Sequence, residues 1–438
     1  RSDWFELVIT RDEGEPLKPH PGSVLEAAHR LGVQPERLLM VGDYRHDIEA
    51  GAGAGSWTAL IRGDETKPWM EEISPDYVVR SLGELPRILR WHRPLETGKL
   101  PNDMLASLLD EVPESEDVVI GPGVGEDVAA VELDGSEVLL AKSDPITFPT
   151  DHIGRYAITI NTNDVVCSGG LPRWFLATAI FPPETTGHII REVFREMLAT
   201  AQELGIRLVG GHTEISDAVR RPVVSGALFG EATDHGLLKK RDIRPGDRIL
   251  MTRRPGVEGT AIIAAEFPEL LRSKAVSPAV IESALHFTDR LTILPEARLA
   301  AESGLAVALH DVTEGGVATA LEELARAAKV RIEVEMAGLA PYPETETLCS
   351  ALGVDPLGLI GSGSLIIAVR PEGAASLLER LNEAGMDARE IGRAIEAEAG
   401  AGTGDGRVTG LRKGRPVAFP RFEVDELARL YREAPTLR

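Results

Sequence analysis

Hydrophobic and polar positions change period several times in the first ninety residues. "FELVIT" (5–10) reads as a short strand, and "PGSVLEAAHRLGV" (21–33) sets Val24, Leu25, Ala28 and Leu31 at helical spacing. "RLLMVGD" is an unbroken apolar run of strand length, followed by the small-residue helix "RHDIEAGAGAG" and the strands "WTALI" and "DYVV". This alternation predicts an α/β, Rossmann-like unit with a helix-covered parallel sheet over 1–90. "RWHRPLETGKLP" (90–101) breaks the pattern with prolines and scattered charge and reads as a linker.

From about 102 to 238 a second unit runs through strands at "EVLLAKSD", "RWFLATAIF" and "VVSGALFG". Between the last two lies the amphipathic helix "GHIIREVFREMLATAQELG", with Ile189, Ile190, Val193, Phe194, Met197, Leu198 and Ala201 on its apolar face. "KKRDIRPGDRILMT" looks like a basic turn entering a new strand, so a third unit is expected over 239–438. It continues through "GLAVALHD", the helix "ATALEELARAAK", "VRIEVEM", "SLIIAV" and the helix "ASLLERLNEAG". "AEAGAGTGDG" (397–406) is low-complexity and reads as a loop.

At 438 residues the chain is long for one core, which agrees with this division. Its formal charge of −22 argues against nonspecific nucleic-acid or anionic-membrane binding. Nucleotide binding then has to rest on local donors and a metal. The two cysteines, Cys167 and Cys349, lack CxxC spacing, so neither a disulfide framework nor a zinc site is expected. Both read as buried packing thiols, and a reducing cytoplasm fits. No apolar run approaches membrane-spanning length and no signal peptide is evident. The chain opens "RSDW" without Met, and an upstream extension of the native chain is expected.

Four acids stand where apolar segments begin or end: Asp127 in "GVGEDVAAV", Asp144 in "AKSDPIT", Asp164 in "NTNDVVCSGGLP" and Glu214 in "GGHTE". Taken singly, each fits a turn acid or helix cap. Taken together, acids from several strand ends need a cation between them. Oxygen-rich clusters suit Mg²⁺, which shares its shell with substrate phosphates, and nearby glycines let phosphates reach backbone N–H groups.

These motifs, followed by "RPGDRILMT" and "HDVTEGGVATALEELA", occur in the order seen in the aminoimidazole ribonucleotide (AIR) synthetase superfamily, which the chain resembles over about 102–430. "DVTEGGVATALEELA" and "LGLIGSGSLIIAV" are most similar to its hydrogenase-maturation carbamoyl dehydratase branch. The resemblance implies an ATP- and Mg²⁺-using enzyme with two α+β domains, dimerising through 102–238, acting on a small molecule. It implies Asp127, Asp144 and Asp164 as metal ligands. It places Gly125, Asn163, Gly210, Gly211, Thr313, Gly315 and Gly316 around the nucleotide, with Asp311 and neighbouring His310 at the chemistry. His212 stands where the dehydratase and kinase branches have Asp, so it is a ligand, base or structural residue, with Glu214 beside it as the returning acid. The dehydratase carries its carbamoyl group on a C-terminal cysteine; this chain ends "LYREAPTLR", so that reaction in cis is not expected. "RRPGVEGTAII" (253–263) is a candidate specificity element.

The first unit, through "KPHPGSVLEAAHRLGVQPERLLMVGDYRHDIEAGAGAG", resembles the second half of a haloacid dehalogenase-like phosphatase. Lys18 matches the phosphoryl-steadying lysine, and Asp43 and Asp47 match metal-holding acids. The family's DxD nucleophile is not found, and Asp3 is not assigned that role. Three activities stay open: amide-oxygen activation by phosphorylation, a small-molecule kinase, and a phosphatase completed upstream. A binding module without turnover also survives.

Overall fold

A computed structural model of the chain describes residues 5–10, 16–62, 68–91, 102–103, 106, 118–120, 123–126, 129–132, 138–147, 151–183, 185, 187–232, 236–397 and 407–433. Asp3, Asp127, most of the expected linker and residues 398–406 of the expected loop lie outside these. The chain forms two compact units, residues 1–96 and 97–438.

In the first unit, β1 (Leu39–Gly42), β2 (Trp57–Ile61) and β3 (Tyr77–Val79) pair in parallel, with Leu39 opposite Trp57 and Ala59 opposite Tyr77. Val24 and Ala28 of the helix Gly22–Leu31 and Ala50 and Ala54 of the helix Arg45–Ala54 are buried. Two expectations are corrected here. Leu25 is exposed, because the buried stripe is only as wide as Val24 and Ala28. Residues 5–10 form no strand. Apolar, β-branched composition is not enough without a ladder partner for the backbone groups.

The described residues of the second unit form two sheets. β4 (Val118–Ile120), β5 (Ala129–Glu132), β6 (Val138–Ile146), β7 (Leu171–Phe181), β8 (Arg207–Ile215) and β9 (Val223–Glu231) make the first, in the order β4-β5-β6-β9-β7-β8. Among the described residues only β7 and β8 pair in parallel in it. The second sheet holds β10 (Arg248–Thr252), β11 (Ala306–Asp311), β12 (Arg331–Glu335), β13 (Leu365–Val369), β14 (Ala388–Ile395), β15 (Val408–Arg412) and β16 (Arg415–Val417), in the order β11-β13-β10-β14-β12-β15-β16. Apolar patterning foretold most of these strands to within a residue or two.

The helix Ile153–Cys167 packs on β6 and β9 and also reaches β11 of the other sheet. Nearly every one of its side chains is buried, so it has no polar face and no amphipathic period. Its polar residues satisfy themselves locally: Thr162 Oγ1 donates to the Ile158 carbonyl at 2.6 Å and Asn161 Nδ2 to the Ala157 carbonyl at 2.8 Å. Apolar clusters join the two halves. Phe175, Phe181 and Leu228 of the first sheet cluster with Ile262, Ile263, Phe267 and Leu430 from the second half.

The helix Gly187–Glu203 is narrower in its burial than its sequence suggests. Val193, Met197 and Ala201 are buried, whereas Ile189, Phe194 and Leu198, on the flanks of that stripe, are exposed.

Candidate functional site

Lys142 and Asp144 lie two apart on β6 and so share a face of the sheet. Lys142 Nζ is 3.8 Å from Asp144 Oδ2 and 3.1 Å from Asp164 Oδ2. Of the four acids expected to gather, Asp144 and Asp164 both approach this ammonium. Asp164 is not on a loop, as its surroundings in the sequence implied; it belongs to the last turn of the buried helix Ile153–Cys167 and is itself buried. An unpaired carboxylate there would be costly, which makes Lys142 a necessary partner. The sequence reading overlooked Lys142, although a lysine two residues from an acid on one strand was visible in "AKSD".

Asn163, expected beside the nucleotide, has a different job. Its Nδ2 donates to the Leu291 carbonyl at 2.8 Å and its Oδ1 accepts from the Ile293 N–H at 3.0 Å. Both ends of the amide clasp the 291–293 segment. Gly125, at φ 85°, lies where a Cβ would come within 2.8 Å of the Glu323 carbonyl oxygen. Glycine therefore lets the loop 123–126 rest against the helix Gly316–Ala328 of the other half. Asp127 follows that loop but lies outside the described residues.

Glu214 does not join the set. Asp144 is level with Gly226 on β9, Gly226 with Ala177 on β7, and Ala177 with Gly211 on β8. Three strand spacings put β8 about 14 Å from β6, too far for one ion to bridge. His212 and Glu214 sit on this exposed edge strand rather than after it, Nε2 to Oε2 at 3.2 Å. Gly210 is exposed, and Gly211 is needed for strand packing, since a Cβ would strike the Ala177 carbonyl. Among the described residues no three His, Cys, Asp or Glu side chains form a metal-holding group.

On the second half, β11 ends at His310-Asp311, and both side chains are buried inside the fold rather than displayed on a surface. His310 Nε2 lies 3.2 Å from Glu323 Oε2, and the Cys167 thiol 3.9 Å from Asp311 Oδ1. Gly315 and Gly316 start the helix Gly316–Ala328 with positive φ, and Thr313 is half-buried at the turn. The Gly315 N–H, expected to face phosphate, donates to Asp425 Oδ2 at 2.6 Å. Asp425 also accepts from the Leu427 N–H at 2.7 Å and so caps the helix Glu426–Glu433.

Two acids that sequence reasoning missed complete this region. Burial pushes the Glu258 carboxyl up to about 7; Asp425 and Asp144 push it the same way, and the hydroxyl and N–H of Ser362 resist. Burial lifts Asp425 as well, against the two N–H groups it accepts from. Glu258 opens the helix Val257–Glu266, where helical spacing alone cannot tell a buried carboxylate from a solvated first-turn acid. Folding is therefore linked to its proton. The contribution is fully present below about pH 4.5, declines as pH rises towards 7, and is gone above it. Glu258→Gln is expected to remove about 3 kcal/mol of pH dependence, read as the difference in urea unfolding free energy between pH 4 and pH 8.

Both thiols are buried, as expected, and burial lifts Cys349 to about 12, leaving it inert at neutral pH.

In the first unit Asp43 follows the end of β1 and is exposed, and Asp47 lies in the first turn of the next helix. Lys18 Nζ pairs with Asp47 Oδ1 at 2.8 Å, so the three residues expected together occupy one end of the small sheet.

Residues 125–232 match the N-terminal domain, and residues 244–405 the C-terminal domain, of the AIR synthase related protein family models. Residues 17–85 match a HAD-hydrolase-like family model. A carbamoyl dehydratase HypE from Rhodobacter capsulatus is 31% identical over 264 residues, which cover 58% of this chain and 74% of that protein. A putative hydrogenase expression/formation protein from Methanocaldococcus jannaschii is 25% identical over 320 residues, covering 69% of this chain and 90% of the relative. Among solved structures, Escherichia coli HypE superimposes with a TM-score of 0.56 at 24% identity, over 67% of this chain and 88% of its own. A structure described as AaThiL complexed with AMPPCP and TMP gives 0.56 at 22% identity, over 74% and 98%. These two likenesses speak for the fold. With both domain models matched in order and a 31% identical relative covered over 74% of its length, the chain belongs to the AIR synthase-related family.

Proposed function

We propose that this chain is an ATP- and Mg²⁺-dependent enzyme that activates an amide-like oxygen of a small substrate by phosphorylation, in a dehydration, cyclisation or ligation. The observation that carries the reading is the convergence of Asp144 and Asp164 on one cationic position. The relatives named carbamoyl dehydratase support it, as does a related structure described as HypE in complex with ATP. Two carboxylates around a positive charge fit Mg²⁺, whose remaining positions go to water and phosphate. Asp144 and Asp164 would hold it, together with Asp127 as the family resemblance implies; Glu214 does not fit. Bound there, the metal supplies neutralisation of triphosphate charge. Lys142 offers a second cation to the same oxygens. Glu258, titrating near neutrality, can hold or release a proton at its carboxyl.

Calorimetry with ATP and MgCl₂ tests the site. Asp144→Asn and Asp164→Asn are each expected to weaken binding at least about tenfold; undiminished binding in both removes the reading. ADP and orthophosphate as products support amide activation. ADP with a stable phosphorylated product supports a kinase, the alternative favoured by the likeness to a structure described as thiamine monophosphate kinase.

Homodimerisation through 102–238 belongs to the same proposal. It is supported by exposed Leu176, Val209 and Ile215 on β7 and β8 and by Ile189, Phe194 and Leu198 on the helix Gly187–Glu203. A cytoplasmic location is supported by two buried cysteines that are not joined in a disulfide; among the described residues no helix is long and apolar enough to cross a membrane. For the first unit, the Lys18–Asp47 pair beside Asp43 supports a haloacid dehalogenase-like module, with phosphatase chemistry if the native chain supplies a nucleophile upstream.

A further inference from the structure

The segment before Glu258 carries positive charge that the fold only partly neutralises. Arg254 and Arg290 both gather at Tyr342, their guanidinium carbons 5.3 and 5.2 Å from its ring centroid. Arg290 also lies 4.6 Å from the centroid of Phe287, whose ring meets Tyr342 edge-on. Asp387 is the shared counter-ion. It accepts from Arg254 Nε at 3.4 Å, from Arg389 Nη2 at 2.8 Å and from the Tyr342 hydroxyl at 3.1 Å. Two guanidinium groups thus share one carboxylate, with Arg290 on the same ring, in a chain whose formal charge is −22. Among the described residues no acid lies within ion-pair distance of Arg290, and its side chain is exposed.

The backbone beneath is held in an uncommon conformation. Arg253 at φ 54° and Asp387 at φ 40° are both left-handed, and the Arg253 N–H donates to the Asp387 carbonyl at 3.1 Å. Strain of this kind persists where surrounding structure over-determines it, and it collects at ligand clamps. Arg253 itself is consumed internally by Glu296 and three carbonyls, which leaves Arg254 as the outward-facing member of "RRPG". Guanidinium groups oriented on an aromatic ring suit flat, forked oxyanions.

We propose that Arg254 and Arg290, gathered at Tyr342, bind an anionic group, carboxylate or phosphate, of the acceptor substrate. The anion site stands on its own geometry; its assignment to the acceptor rests on the function proposed above. Its links to the candidate site are covalent and short. Arg254 is four residues from Glu258, and Arg290 adjoins Leu291, whose carbonyl Asn163 holds next to Asp164.

The experiment follows the unfolding midpoint of the full chain while inorganic phosphate and, separately, malonate are added at constant ionic strength. One of the two is expected to raise the midpoint, and the tighter one names the class of anion. Arg254→Gln with Arg290→Gln is expected to weaken that response about tenfold while ATP–Mg²⁺ binding is unchanged. Arg290→Gln alone, at an exposed position with no acid within ion-pair distance among the described residues, is expected to weaken it while the loss of its ring contacts lowers the starting midpoint by no more than about two degrees. No response in the unaltered chain, or an equal response in the folded variants, overturns the proposal. If the variants lose the response but the unaltered chain binds no ATP, the anion site stands and the nucleotide reading falls.

Discussion

Arg253→Met is expected to cost about 3–5 kcal/mol of stability, because it strands a buried charge and three backbone acceptors at once. Arg253 Nη2 lies 2.6 Å from Glu296 Oε1, and Glu296 is only 2% exposed. Its Nη1 reaches the carbonyls of Arg290, Thr292 and Gly363 at 2.6, 2.9 and 2.5 Å. One guanidinium therefore ties three separate segments together. Burial raises the Glu296 carboxyl and Arg253 holds it down, so without Arg253 the acid protonates more readily. The penalty then has a sign in pH: the variant should be nearest to the unaltered chain at low pH and fall further behind as pH rises. Arg253→Lys keeps the charge but not the fork, and should fall between the two. Thermal and urea unfolding at pH 5 and pH 8 measure all three. An Arg253→Met midpoint within a degree of the unaltered chain at both pH values would falsify the tie.

The second large effect concerns Lys142→Met. It leaves Asp144 and the buried Asp164 facing each other without the ammonium that now separates them. A loss of about 3 kcal/mol is expected, moderated by the partial exposure of Asp144. More informative is the remedy. A divalent cation that binds only the folded chain stabilises it by mass action. Millimolar MgCl₂ should therefore return more stability to Lys142→Met than it adds to the unaltered chain, compared with NaCl of equal ionic strength. If magnesium treats both chains alike, the two acids serve as structural ion-pair partners of Lys142 and not as the metal position proposed here.

Much of the second unit was legible because its strands are apolar runs and its motifs come in order. Asp144 near the end of β6, and Asp43 and Asp47 after β1, stand where local pattern put them. The failures share a physical cause. The helix Ile153–Cys167 is buried on all sides, so "NTND" has no amphipathic signature and reads as a loop. Glycines 211 and 315 look like phosphate contacts in sequence, yet one makes room for the Ala177 carbonyl and the other gives its N–H to Asp425, 110 residues away. Glu258 and Asp425 are ordinary acids until distant segments fold over them, and nothing local announces that burial. Glu214 fails for a topological reason: β9 and β7 intervene between its strand and that of Asp144.

The apolar cluster in which Phe175 and Leu228 meet Ile263 and Phe267 has a consequence for how such a chain can change. Its two sheets are stitched through common oil rather than joined at a polar seam. Swapping one half for that of a relative would pit foreign side chains against a close-packed surface shaped for the other, with voids or clashes on both sides. Divergence in this chain is thus channelled into its surface loops and edge strand, while the halves must drift as a matched pair.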